Sequence, residues 1–319
     1  MRAESLDRLV FFGTPDFAVP TLRALCDAGR APFQVISQPS RPTGRGRHAK
    51  NPPVVEWALR HDLAVVQPRN VRDPNFLALM SDLTPAVAVV VAFGQIFPKV
   101  LLEIPTRGCI NLHASMLPSY RGAAPIQAAI IAGETHTGVT TMQMEEGLDS
   151  GPILLQEEVV IGPRDTAAEL SHSLAEVGAE LMVRTLEALE SSGIGARPQN
   201  DEEATMAPRL RKVDGQLDWS QSAVRLFNRI RGVTPWPGAF TTLREQPLKI
   251  LWGEVLEVTG TARGGEPGSY LGMIDGRLAV SCGEGTILGV ERVQRPGKKP
   301  LEVSQFVNGE PIEVGERFG

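Results

Sequence analysis

Asn111, His113 and Asp149 are three polar residues that together could run an acyl transfer without a metal. The first two stand in Asn111-Leu112-His113, at the end of an apolar run that reads as a strand. Strand alternation puts both side chains on one face. Asp149 lies in Gly147-Leu148-Asp149-Ser150-Gly151, framed by glycines. When an amine attacks a carbonyl carbon, negative charge gathers on the oxygen. A donor preset on that oxygen is worth roughly 3–4 kcal/mol in a water-poor site. The Asn111 amide and a protonated His113 can supply such donors. A carboxylate beside an imidazole favours its charged form and holds its orientation. Asp149 could therefore keep His113 cationic until its proton passes to the leaving nitrogen. Each residue taken singly has a plainer reading. A His near a strand end is commonly a satisfied structural residue, and an Asp between glycines commonly makes a turn. Spacing alone leaves both readings open.

The elements that must position these residues alternate along the first part of the chain. Leu9–Phe12 is a short apolar strand that stops at Gly13-Thr14-Pro15, and Val19–Ala28 reads as a helix ended by Gly29. Strands are predicted at Phe33–Ile36 and Leu63–Val66, with a helix over Pro53–Arg60 that starts on proline. Phe76–Leu83 is a helix. Ala86–Ala92 is apolar on both faces, as in the centre of a parallel sheet. Cys109–Leu112 continues that sheet and brings Asn111 and His113 to a strand's carboxyl end, outside which ligands of open α/β sheets sit. Val139–Met144 and Ile153–Ile161 are two further strands, and Ala167–Leu189 is a long helix with Leu170, Leu174, Val177, Leu181 and Leu186 as its apolar stripe. The pattern predicts a doubly wound α/β domain with a mostly parallel sheet. Gly13 stands alone where a dinucleotide-binding chain would carry G-x-G-x-x-G, which argues against a nicotinamide cofactor.

Residues 193–208 are polar and punctuated by Gly and Pro, as a linker is. Beyond them the character changes. Ser220–Ile230 reads as one helix. Short strand-like runs follow at Phe240–Leu243, Leu248–Leu256, Leu278–Ser281 and Thr286–Val293, separated by Gly- and Pro-rich turns, which suggests a small β-barrel. The expected division is a catalytic domain over 1–192, a linker over 193–208 and a barrel over 209–319. Charge follows the division: residues 1–207 carry 17 Lys/Arg against 24 Asp/Glu, and residues 208–319 carry 15 against 13. Arg41, Arg45, Arg47 and Lys50 concentrate positive charge between a strand and a helix. That segment reads either as a solvated loop or as a mobile arm that grips phosphates. Cys26, Cys109 and Cys282 lie far apart with no CxxC, so no metal site is expected, and the sparse count fits a reducing cytosol. The first residues lack an apolar signal core, and the longest apolar run falls far short of the roughly 20 residues of a membrane span. The expectation is a cytoplasmic monomer with no membrane partner.

Taken together, the motifs resemble the methionyl-tRNA formyltransferase family. The resemblance rests on N-L-H-x-S-x-L-P from Asn111, R-G-A-A-P-I-Q from Arg121, and M-Q-M-x-x-G-L-D-S-G from Met142. Phe12–Pro15 is similar to the family's opening strand and turn, Gln38–Pro42 with Gly44–Gly46 to its basic insertion loop, and Ala92–Pro98 to its folate-side segment. Asp218-Trp219-Ser220 and Pro235-Trp236-Pro237 resemble markers of its C-terminal domain. The resemblance implies a formyltransferase fold followed by an OB-like barrel. It implies 10-formyltetrahydrofolate as formyl-donating co-substrate and the α-amine of methionyl initiator tRNA as acceptor. Asn111, His113 and Asp149 match the family's catalytic residues. Ser115, Met116, Leu117 and Pro118 match its folate-contacting loop, with Met116 replacing the usual Leu at little change in volume. Arg41, Arg45, Arg47 and Lys50 would meet the tRNA acceptor region. A sugar-nucleotide N-formyltransferase, a hydrolase of the formyl donor and an RNA-binding module with a dead site are the competing functions.

Overall fold

The strands that carry the site are buried on both faces, and that is what makes them strands of a central sheet. The computed structural model describes Leu6 and residues 8–43, 48–191, 194–257 and 265–319. Two compact units are present. One comprises Met1–Pro125, His136–Val160 and Ser171–Ala207, and the other Ile126–Thr135, Ile161–Leu170 and Pro208–Gly319.

In the first unit the elements run β1 (Leu9–Gly13), α1 (Val19–Asp27), β2 (Gln34–Ile36), β3 (Arg41–Thr43), β4 (His48–Lys50), α2 (Pro53–Arg60), β5 (Val65–Val66), α3 (Pro74–Leu83), β6 (Val87–Val91), α4 (Lys99–Leu102) and β7 (Cys109–His113). After α5 (Pro125–Ala132) come β8 (His136–Gln143), β9 (Ile153–Val160) and α6 (Ala167–Ser191). The seven-stranded sheet has the order β5-β2-β1-β6-β7-β8-β9. β5 through β7 are parallel, and β8 and β9 add antiparallel. Every residue of β1 and β6 is buried, as the apolar runs predict. The chain winds outward from β1 through β2 to β5 and then returns to β6 on the other side of β1. The turns after β1, β2 and β6 are tied together at this reversal. Thr14 Oγ1 donates to the Phe93 carbonyl at 3.1 Å, and Gln38 Nε2 donates to the same carbonyl at 3.2 Å. Such a switch point is where open α/β sheets bind ligands.

One face of the sheet is covered by α6. A Cβ on Gly178 of this helix would meet Leu112 Cδ2 at 2.7 Å, so helix and β7 approach as closely as glycine allows. Across the other face Val10, Phe12, Ala88, Val90 and Cys109 share a core with Phe76 and Met80 of α3 and Leu101 of α4.

The basic segment departs from the expected open loop. Its flanks pair as an antiparallel hairpin, with Arg41 opposite Lys50 and Thr43 opposite His48. Arg45 and Arg47 lie outside the described residues.

The second unit contains α7 (Ala223–Gly232), β10 (Ala239–Leu243), β11 (Gln246–Leu256), β12 (Tyr270–Ile274), β13 (Arg277–Ser281), β14 (Ile287–Gln294), β15 (Leu301–Glu302) and α8 (Val303–Gly309). The antiparallel sheet has the order β10-β11-β14-β13-β12, with β15 beside β14. The terminal segment joins its two edges: Phe318 bridges Leu243 at the end of β10, and Arg317 bridges Ser269 just before β12. Trp219 of the Asp-Trp-Ser marker is a core residue here, and its Nε1 donates to Thr241 Oγ1 at 2.9 Å. Residues 126–135 and 161–170, expected with the first domain, pack in this unit instead. Arg231 of α7 explains part of this. Its guanidinium is buried and donates to the carbonyls of Gly162 and Asp165 at 3.2 and 2.9 Å. Gly232 admits Ile131 so closely that a Cβ would lie 2.6 Å from it. Among the described residues no helix is long and apolar enough to cross a membrane, and no group of three His, Cys, Asp or Glu is placed to hold a metal ion.

Candidate active site

β7 begins inside the core and ends at its rim. Cys109, Asn111 and His113 alternate onto the face opposite α6. Cys109 is fully enclosed, and burial pushes its thiol up to about 12, which excludes it as a nucleophile near neutral pH. Asn111 is only half-buried. Among the described residues its carboxamide makes no hydrogen bond, so both ends stay available to a ligand.

His113 is buried and faces acceptors on both ring nitrogens. Its Nε2 lies 3.0 Å from the Tyr120 carbonyl, and its Nδ1 lies 3.6 Å from Asp149 Oδ2. The second distance is that of an ion pair rather than a hydrogen bond. A carbonyl and a carboxylate can only accept, so the doubly protonated ring satisfies both neighbours. Asp149 Oδ2 in turn accepts the Gly122 N–H at 2.8 Å.

The reach of Asp149 comes from a loop that doubles back. β8 leaves the sheet at Gln143, opposite Ile110, whereas His113 pairs with Thr140. The loop must return about 10 Å along β7, three residues of strand, to present its carboxylate. Asp149 has φ +50°, and Tyr120 has φ +61°. Both lie in the left-handed region that side chains other than Asn, Asp and Gly seldom occupy.

The Ser115–Pro118 loop follows β7 directly and is built from inside. Ser115 is buried, and its Oγ donates to the Ser119 carbonyl at 2.6 Å. Thr140 Oγ1 donates to the Ser115 carbonyl at 2.7 Å and accepts the Leu117 N–H at 3.2 Å. Gln156 Nε2 donates to the Leu117 carbonyl at 2.9 Å. Met116 packs on Gly138 of β8, where a Cβ would meet its Sδ at 2.5 Å. Met116 and Pro118 keep part of their surface open, while Leu117 is buried.

The structure thus brings His113 and Asp149 together and leaves Asn111 open on the same strand face. Arg41 and Lys50 stand apart. Their hairpin follows β2, three strands from β7, or about 14 Å across the sheet but at the same carboxyl-end rim. Lys50 is exposed, with its Nζ 4.0 Å from Glu56 Oε1. The supporting groups Tyr120 O, Gly122 N–H and Thr140 escaped sequence reasoning. Two of them are backbone atoms that any residue supplies, and Thr140 is marked only by its register with His113.

The formyl transferase family matches residues 7–186, and the formyl transferase C-terminal domain matches residues 209–311. The chain is 45% identical over 311 residues to the methionyl-tRNA formyltransferase of Pelobacter propionicus, covering 98% of this chain and 96% of that one. It is 46% identical over 307 residues to the methionyl-tRNA formyltransferase of Thermodesulfovibrio yellowstonii, covering 96% and 97%. Among solved structures, an N-formyltransferase from Helicobacter canadensis in complex with folinic acid and dTDP-3-aminofucose is similar with a TM-score of 0.67. Its identity is 17%, with 89% of this chain and 98% of that one covered. At that identity the likeness is one of fold.

Proposed function

The chain belongs to the methionyl-tRNA formyltransferase family of formyl transferases, and from that premise we propose that Asn111, His113 and Asp149 are the residues with which it formylates the α-amine of methionyl initiator tRNA. The product is N-formylmethionyl-tRNA for translation initiation. The observation that carries the reading is the near-complete mutual coverage with relatives of that name at 45–46% identity. The formyl donor is a folate, and we take it to be 10-formyltetrahydrofolate, whose carbonyl carbon supplies the group to be moved.

The site's open groups suit that donor. Asn111 offers an unpartnered amide where a formyl oxygen needs one, and Ile96, 73% exposed in the Ala92–Pro98 segment, offers apolar surface to a flat ring. Ser115 and Leu117 spend their polar atoms on the loop itself, so direct folate contact falls to Met116 and Pro118. Asn111 donates to the formyl oxygen as negative charge develops there. His113 turns its Nε2–H from the Tyr120 carbonyl toward the same oxygen; as the new C–N bond forms and the bond to the folate nitrogen breaks, the ring gives a proton to the departing nitrogen and takes one from the attacking amine. Asp149 balances the imidazolium whenever the ring is charged. The attacking α-amine titrates near ~8 when free and must be neutral to react, so the site's task is also to hold it deprotonated beside the carbon.

Arg41 and Lys50 of the hairpin, with Arg45 and Arg47, meet the tRNA acceptor region, and the second unit holds the inner side of the tRNA through phosphate contacts. The setting is cytoplasmic, and the working form is a monomer. The test offers the protein 10-formyltetrahydrofolate with either charged initiator tRNA or an amino-sugar nucleotide. N-formylmethionyl-tRNA is the expected product. Formylation of the sugar alone, or formate release with no acceptor consumed, would overturn the assignment.

A further inference from the structure

The polar segment after α6 is not an open tether. Arg197 exchanges both backbone hydrogen bonds with Ile153 of β9, each at 2.8 Å. Further on, the Arg121 N–H donates to the Thr205 carbonyl at 2.8 Å, and the Ala207 N–H donates to the Arg121 carbonyl at 2.7 Å. Between these anchors Gln199 reaches the Asp149 loop. Its Nε2 donates to the carbonyls of Asp149 and Gly151 at 2.8 and 2.7 Å, and its Oε1 accepts from Arg121 Nε at 3.0 Å. Only one orientation of the amide satisfies all three contacts, because a guanidinium can only donate and a carbonyl can only accept. Arg121 is itself 7% exposed, and its Nη2 reaches Asp201 at 2.8 Å.

Asp149 needs such a hold. Its φ of +50° lies in the left-handed region, which aspartate enters more readily than most residues but which the loop must still hold in place. Its carboxylate must face His113 while accepting the Gly122 N–H. We infer that Gln199 is a positioning residue, whose amide fixes the Asp149 backbone so that the carboxylate stays directed at His113. The inference rests on the reading of His113 and Asp149 as the reacting pair in formyl transfer.

The test measures transfer from 10-formyltetrahydrofolate to charged initiator tRNA by Gln199→Leu and by the unaltered protein. The expected result is a kcat lower by about 100-fold, the scale of a small misplacement at a reacting group. KM for both substrates should stay within about twofold. In an Asp149→Ala background, assayed in single turnover, the same substitution should cost less than about threefold, because there is no carboxylate left to aim. Gln199→Glu keeps the acceptor for Arg121, loses both donations and should behave like Gln199→Leu. It serves if the leucine variant folds poorly. Exchange of the Gly122 amide gives a reading that needs no turnover. It should quicken at least about tenfold in Gln199→Leu, while the Leu112 amide in β7 stays protected. Losses that multiply in the double variant, or unchanged kcat with unchanged Gly122 exchange, would overturn the inference. An unaltered protein that formylates no tRNA would instead overturn the functional reading beneath it.

Discussion

Replacing Asp149 by asparagine isolates the charge on the His113 partner from its shape. Asn has nearly the same volume, and its carbonyl oxygen can still accept the Gly122 N–H that Asp149 Oδ2 accepts at 2.8 Å. What disappears is the negative charge 3.6 Å from His113 Nδ1. Two unit charges at that range interact by about 4 kcal/mol at an effective dielectric of 20 and by about 1 kcal/mol in water. The side chains are 7% and 18% exposed, which sets this pair between those limits. About 2–3 kcal/mol is therefore at stake when the imidazole must be cationic, or roughly 30- to 150-fold in kcat. Folding stability should fall by up to about 2–3 kcal/mol, since the ion pair with His113 is lost from the folded state while the Gly122 hydrogen bond is only weakened. The assay is formylation of charged initiator tRNA at saturating substrates, with thermal unfolding as control. A kcat within about threefold of the unaltered protein, or a loss confined to KM, would refute the argument that the carboxylate acts through its charge.

His113→Ala removes the donor and proton carrier together and should lower transfer by at least about 100-fold. Folate affinity, followed by equilibrium dialysis, should stay within about twofold, and near-normal turnover would remove His113 from the mechanism. Arg41→Ala should lower kcat/KM for tRNA about tenfold and flatten the salt dependence of tRNA binding by about one counterion, leaving the folate KM unmoved. An effect on folate alone would refute the placement of this hairpin on tRNA. Away from the site, the Arg30 hydrogen bond holds the Glu190 carboxyl below the usual carboxylate range. A folded pKa below the unfolded value means that stability is present above the unfolded pKa and is lost as pH falls through the folded one. Glu190→Gln should therefore cost about 1 kcal/mol near neutral pH in urea unfolding, with the gap closing as acid protonates Glu190. A gap that persists in acid would show that the pair matters through packing and not through charge.

Much of the first unit could be read from hydrophobic runs because parallel strands are buried on both faces. The expected strands at Leu9–Phe12 and Ala86–Ala92 correspond to β1 at Leu9–Gly13 and β6 at Val87–Val91, and the helix over Pro53–Arg60 has those bounds. The same signal fails where a strand has no core to face. Arg41-Pro42-Thr43 carries no aliphatic or aromatic strand former, so its pairing with His48-Ala49-Lys50 leaves no trace in the pattern. β12 is hidden for a different reason. Gly272 has φ +103°, and the register shifts between Tyr270 and Gly272, which breaks the alternation that marks a half-buried strand. The packing of residues 126–135 with α7 depends on Gly232 admitting Ile131, a complementarity between distant segments that no local window contains.

The site divides along the same line. The groups proposed to react are visible in the sequence because an amide, an imidazole and a carboxylate are carried by side chains, and strand alternation alone sets Asn111 on one face with His113. Their supports are mostly backbone atoms. The Tyr120 carbonyl, the Gly122 N–H and the Asp149 and Gly151 carbonyls would be present whatever the side chains, so residue identity cannot reveal them. Gln199 is the exception that shows the limit. Its amide is chemically suited to bind a donor and two carbonyls at once, yet it stands in a polar stretch whose composition reads as connector. What distinguishes it is the company it keeps in space: a buried Arg121 on one side and a left-handed Asp149 on the other. A carboxylate that must face one ring from a loop has to be held by something. Looking for what occupies the hydrogen bonds of Asp149 finds that support where a pattern of residue types does not.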